Sequence, residues 1–201
     1  MKDTRGMRVQ AHRPRLTTKV SLPGEQDRLR QMVLYISLRC ETAVRFGLIK
    51  LNKILWKADF DAYAARKVPV TGRAYQRLAL GPAPKEMKPV LDDLARLGMI
   101  EFRQTDFGEG IVEQRPIAKV APNLSNFSRG DLQFVDDAIL YYWDKTGIET
   151  SDDSHGVAWK SRKDKATMYY ELSYLSDHPI TEDERTAIVR KLRTRGLVRG
   201  N

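Results

Sequence analysis

The chain reads as a predominantly helical α+β domain, a compact helical domain with one small β-hairpin. Three observations predict this. Apolar residues recur at helical spacing in several windows, helix start and stop residues bracket those windows, and one short stretch between helices reads as two strands around glycines. Helix, glycine stop, strand, loop and strand follow one another from Lys85 to Val120, which gives that half a winged-helix-like outline.

The elements follow in order. Residues 1–24 hold Gly6, Pro14, Pro23 and Gly24 without a sustained apolar period, and Lys2, Arg5, Arg8, Arg13, Arg15 and Lys19 oppose only Asp3 there. They read as a basic flexible arm, followed by a single domain over 25–201. Leu29, Met32, Val33, Ile36 and Leu38 supply the apolar side of a helix from Glu25 to about Cys40. A second helix, from about Leu48 to Ala65, sets Leu48, Leu51, Leu55, Ala58 and Ala62 on one side and Lys50, Lys53, Lys57 and Asp61 on the other. Between them runs a mixed stripe of Asn52, Trp56, Asp59 and Tyr63. Pro69 and Gly72 break the chain, Ala74–Leu80 fits either a short helix or an extended piece, and Gly81-Pro82 is a turn signal.

Pro84 suits the first turn of the next helix, whose buried face is Met87, Val90, Leu91, Leu94 and Leu97; Pro89 either kinks or restarts it, and Gly98 caps it. Met99–Arg103 and Ile111–Gln114 form the hairpin around Gly108 and Gly110, and Ala118–Phe127 is linker-like. Ser128 with Asp131 is a capping box ahead of Leu132, Val135, Ala138, Ile139 and Tyr142, with Gly147 as the stop. A short helix is expected from Ser151 to Val157, and Met168–Leu175 looks extended. Thr181 with Glu184 is a further capping box, for a final helix that stops near Gly196.

Composition narrows the function. Apolar residues at 41% and charged residues at 30% describe an ordinary soluble globular protein. No apolar run approaches the ~20 residues of a membrane span, and no secretory signal opens the chain, so the cytoplasm is the expected compartment and no membrane partner is expected. Cys40 is the only cysteine, which excludes an internal disulfide and a cysteine-rich zinc site. His12, His155 and His178 are few; Asp152, Asp153, His155, Asp177 and His178 show no metal-ligand spacing, and Ser154 and His155 are neighbours that cannot face each other as nucleophile and base. No phosphate-cradling glycine loop precedes a helix. The chain therefore reads as no enzyme, with no cofactor and no metal.

The formal charge of +9 sits mostly in the arm, in Lys160–Lys165 and in the last helix. Arg5, Arg8, Arg13, Arg15 and Lys19 suit weak nucleic-acid binding without sequence preference, or serve solubility alone. The helix around Met87–Leu97 carries Lys85, Glu86, Lys88, Asp92, Asp93 and Arg96, three of each sign, and the Asp92-Asp93 pair would be repelled from a DNA groove.

Three ordered blocks carry a likeness: Leu51-Asn52-Lys53-Ile54-Leu55-Trp56-Lys57-Ala58-Asp59-Phe60, Pro69-Val70-Thr71-Gly72 and Leu80-Gly81-Pro82-Ala83-Pro84. A weaker fourth block is Ser151-Asp152-Asp153-Ser154-His155 followed by Trp159. Over about residues 29–160 the chain resembles the Panacea-domain family, the SocA-like antitoxins, also known among phage-associated GepA-like proteins. It departs from the pattern at Trp56, where a smaller aromatic is commoner, and in its basic arm.

The resemblance implies an antitoxin that binds and neutralises a cognate toxin by direct contact; some members instead hand the toxin to a protease. The partner-binding residues expected on this basis are Asn52, Trp56, Asp59, Tyr63, Tyr75, His155 and Trp159. Trp56 also fits a core role, and His155 with Trp159 also fits a ring-edge packing pair on one short helix. Asp59 and Tyr63 are expected at an accessible rim, so that truncating either weakens neutralisation and leaves thermal stability intact. The alternative function is a winged-helix-like nucleic-acid-binding transcriptional regulator.

Overall fold

The computed structural model describes residues 16–108, 110–177 and 181–194. Arg5, Arg8, Arg13 and Arg15 of the expected arm, His12, His178 and the expected stop at Gly196 lie outside the described residues. Helices α1 (Glu25–Arg39) and α2 (Leu48–Arg66) come first, then strands β1 (Tyr75–Leu78) and β2 (Gly81–Pro84). Helix α3 (Met87–Arg96), strands β3 (Ile100–Asp106) and β4 (Val112–Ala118) and helix α4 (Arg129–Tyr142) follow. Two short helices, α5 (Gly147–Asp153) and α6 (Val157–Lys160), lead to β5 (Thr167–Met168), a 3-10 turn at Tyr170–Tyr174 and α7 (Glu182–Thr194). The fold is predominantly helical α+β, as expected. Where one hairpin was expected, there are two small antiparallel sheets, β2-β1-β5 and β3-β4.

Helix α2 is the axis of the molecule. On one flank Leu51, Ile54, Leu55, Ala58 and Ala62 join Leu29, Met32 and Ile36 of α1, Leu94 of α3, and Val135 and Ile139 of α4 in the main apolar core. On another flank Phe60 and Tyr63 pack with Tyr75, Met168 and Tyr170 in an aromatic cluster. A helix enclosed on two flanks has no room for the solvated lysine face read from the sequence. Lys57 and Asp61 do form a partly exposed pair at 2.9 Å. Lys50 and Lys53 are buried, a correction with a clear reason: the Lys50 ammonium donates to the carbonyls of Val44 (3.0 Å) and Trp143 (3.2 Å), and that of Lys53 to Pro82 (2.9 Å). Their methylene stems cross apolar surface and end on backbone acceptors.

Local signals explain most helix ends. Gly98, at φ +68, closes α3 in a Schellman turn: its amide donates to Ala95 and that of Met99 to Leu94. Pro89 neither kinks nor restarts the helix. It is the third residue of α3, where no intrahelical amide bond is yet made; the first comes from Val90 to Glu86. Ser128 and Asp131 form the expected capping box, and Thr181 with Glu184 forms another. Gly147, expected to end a helix, instead opens α5 behind a box between Thr146 and Glu149. The helix expected over 151–157 is two helices separated near Gly156, and the extended reading of 168–175 holds only for β5 before the chain turns into a 3-10 helix.

The stretch expected to be arm is fastened from residue 17 on. The Tyr170 amide donates to the Thr17 carbonyl (2.9 Å), the Thr17 amide to Glu171 (2.8 Å) and the Val20 amide to Gly72 (3.0 Å), while the Lys19 side chain stays exposed.

Gly81 is where the turn between β1 and β2 meets α2. Its φ is +95, and a Cβ there would collide with Ser154 Oγ and the end of the Lys53 side chain; around Gly98 the space is open. Gly98→Ala should therefore cost about 1–2 kcal/mol, the left-handed penalty alone. Gly81→Ala should cost more, on the order of 3 kcal/mol. Urea unfolding midpoints of the two variants check the order.

Candidate functional site

The stripe on α2 splits into an interior part and a surface part. Asp59 is 0% exposed. Its Oδ1 accepts the Thr71 amide at 2.5 Å; its Oδ2 accepts the Thr71 hydroxyl, in close contact, and the Tyr75 hydroxyl at 2.8 Å. The Tyr170 hydroxyl lies 3.4 Å from Oδ2 but 2.7 Å from the Arg73 carbonyl, and its single proton goes to the nearer acceptor. Burial pushes the Asp59 carboxyl up from 3.8 to about 6, although every donor pulls it the other way. Desolvation wins over hydrogen bonding here.

Tyr63 is 7% exposed, stacks on Tyr170 with ring centroids 5.0 Å apart, and donates to Glu171 Oε1 at 2.9 Å. Tyr75 is buried with them, edge-on to Phe60. The expectation that Asp59 and Tyr63 stand at an accessible rim is overturned. Tyr75 of β1, Met168 of β5 and the 3-10 turn close over this face of α2, and the Tyr170–Tyr174 segment that completes the cover is about a hundred residues further along the chain. No helical period carries that information.

The other expected residues reach surfaces. Asn52 is half-buried; its Nδ2 donates to the Leu48 carbonyl (2.8 Å), which leaves Oδ1 without a protein partner. It lines a groove of about 440 Å³ with Leu78, Pro84, Met87 and Phe102. Trp56 is half-buried with its Nε1 unpartnered, and lines a cleft of about 180 Å³ with Phe60, Tyr142 and Ser173. His155 and Trp159 meet face to face, centroids 4.0 Å apart and planes at 25°, not edge to face. Gly156 separates them, so His155 precedes α6. The Arg77 guanidinium lies over the Trp159 ring at 3.7 Å, and Trp159 Nε1 donates to the Leu78 carbonyl at 2.9 Å. This stack pins the β1–β2 turn against α6. Burial lowers the His155 pKa and draws that of nearby Lys53 down to about 7.

A second groove, of about 360 Å³, escaped the sequence reading. Arg45, Leu48 and Ile49 form one wall, Phe107, Ile111 and Val112 at the hairpin tip another, and Ile148 of α5 closes the end. It shares the lining residues Leu48 and Gln114 with the Asn52 groove, so the two are neighbours. Ile148 is 61% exposed and Val112 55%. The available signal was apolar side chains in a glycine-flanked hairpin tip, where turn chemistry asks for polar ones. Among the described residues no three His, Cys, Asp or Glu side chains converge as a metal site, and no helix is long and apolar enough to cross a membrane.

Fold and site together define a small α+β scaffold, polar-locked at its centre and grooved on its surface. Residues 51–160, more than half of the chain, match the family described as antitoxin SocA-like, Panacea domain, and the chain belongs to that family. The matched span holds Asp59, Thr71, Tyr75, His155 and Trp159. No curated protein and no solved structure matches the chain.

The Asp59 lock yields a pH test. Between 3.8 and about 6 the unfolded carboxyl ionises while the folded one keeps its proton, so stability falls as pH rises through that window and levels off above it. Roughly 3 kcal/mol is at stake. Asp59→Asn removes the titration and keeps an acceptor for the Thr71 amide, so the stability difference should turn in favour of the variant between pH 4 and 6. Asp59→Leu orphans the Thr71 and Tyr75 donors and should cost about 2–4 kcal/mol at neutral pH. Chemical denaturation across pH checks both.

Proposed function

We propose that this chain is a non-catalytic cytoplasmic antitoxin that binds a cognate protein toxin and neutralises it by covering the toxin's working surface. The observation that carries the reading is the family match over residues 51–160. The geometry supports it. The polar groups at the centre are spent on internal bonds, and the accessible surfaces of the matched span are grooves with apolar walls, which is what a protein contact uses. A stable contact of this kind buries on the order of 1,200–2,000 Å² in total.

The nucleic-acid alternative gains nothing from α3. Lys88 pairs with Asp92 at 2.6 Å and Arg96 with Asp93 at 3.3 Å, so both cations within α3 already have carboxylate partners and only Lys85, ahead of its first residue, does not.

Co-expression with the product of the adjacent reading frame tests the proposal. Growth arrest by that product should be relieved by the wild-type chain, with the toxin still present at its full level and recovered in complex. A fall in toxin level on co-expression would replace covering by delivery to a protease. No relief of arrest would contradict the antitoxin reading.

A further inference from the structure

We propose that the two neighbouring grooves between the β3–β4 hairpin and the start of α2 together form the toxin-docking surface, and that the occupant is an amphipathic segment with two apolar anchors, one for each groove, flanked by acidic side chains. The inference rests on the antitoxin reading and gives the partner segment its chemistry.

Adjacency is the first observation. Leu48 and Gln114 line both cavities, with Ile111 and Ile148 walling one and Met87 and Phe102 the other. Ile111 is 46% and Ile148 61% exposed in one, and Phe102 is half-buried beside the buried Met87 in the other, so one apolar anchor in each removes apolar surface from water.

Charge is the second. The grooves' carboxylates are already paired, Glu113 with Arg115 at 3.3 Å and Asp92 with Lys88 at 2.6 Å. Two cations, one in each groove, have no carboxylate partner among the described residues. The Arg45 guanidinium rests on the Phe107 ring at 3.7 Å, and the Lys85 ammonium donates only to the Thr167 hydroxyl at 2.7 Å. Among the lining residues the charge without an ion pair is therefore positive, and an acidic flank on the partner answers it.

The same charge argues against self-occupation. The chain carries +9 overall, and residues 1–15 set Lys2, Arg5, Arg8, Arg13 and Arg15 against Asp3 alone. A second copy or the chain's own basic N-terminal residues would bring like charge to Arg45 and Lys85.

The test uses the full chain and two fluorescently labelled amphipathic peptides with identical leucine positions, one with glutamate and one with lysine at the polar positions. Anisotropy titration should show the glutamate peptide binding, at least about tenfold tighter than the lysine peptide. Arg45→Glu and Ile148→Asp should each weaken the glutamate peptide about tenfold. Both side chains are exposed, so thermal melting should be unchanged. In co-expression, the same variants should lose relief of growth arrest.

Equal binding of the two peptides, or variants that relieve arrest as well as wild type, would overturn the groove assignment and leave the antitoxin reading standing. Absence of relief by the wild type fails that reading instead. A dimer in sedimentation that Ile148→Asp abolishes would give the groove to a second copy and overturn the proposal as well.

Discussion

A carboxylate without access to water organises this molecule. Asp59 sits on the central helix, and its oxygens take donors from Thr71 and Tyr75, residues just beyond the end of that helix. Burying an ionisable group is expensive unless it is fully bonded, and the bonds here come from one short stretch of chain. That stretch must fold back along α2. Doing so sets Tyr75 of β1 among Phe60 and Tyr170, brings β2 against the helix, and puts the Arg73 carbonyl where the Tyr170 hydroxyl donates to it. Glu171 beside Tyr170 then collects both the Tyr63 hydroxyl and the Thr17 amide, so the N-terminal strap and the C-terminal turn converge on the same helix face.

Much of the helical outline was legible because its signals are local. Ser128 with Asp131, Gly98, and the positions of Val135 and Ile139 need no knowledge of distant chain. The faces of α2 were not legible. A 3.6-residue period separates apolar from polar when one side meets water, and α2 meets protein on most sides. Lys50 and Lys53 therefore read as surface while their ammonium groups end on interior carbonyls. The three-stranded sheet was missed for a related reason. Strand β2 carries Pro82 and Pro84, β5 is two residues long, and the pairing of Tyr75 with Met168 joins segments that no local pattern links.

The same distinction separates the site residues. Asp59, Tyr63 and Tyr75 looked like contact residues because acidic and aromatic groups on one helix stripe resemble an interface hot spot. They are instead the internal polar and aromatic frame. His155 and Trp159 lie at its margin, stacked with Arg77 over the β1–β2 turn. Asn52 and Trp56 keep an unpaired polar atom each and line surface depressions. The Panacea-type match thus covers a rigid frame whose most chemically conspicuous residues hold it together, while plainer residues such as Leu48, Ile111 and Ile148 form the groove.

Native-state hydrogen exchange of the Thr71 amide tests this account most directly, because that proton exists in the structure only as a bond to Asp59. The account predicts exchange as slow as that of the core amides of α2, governed by global unfolding. Exchange at the rate of an open loop would contradict it: the carboxylate would then not be holding the chain, and Asp59 would regain its place among the candidates for partner contact.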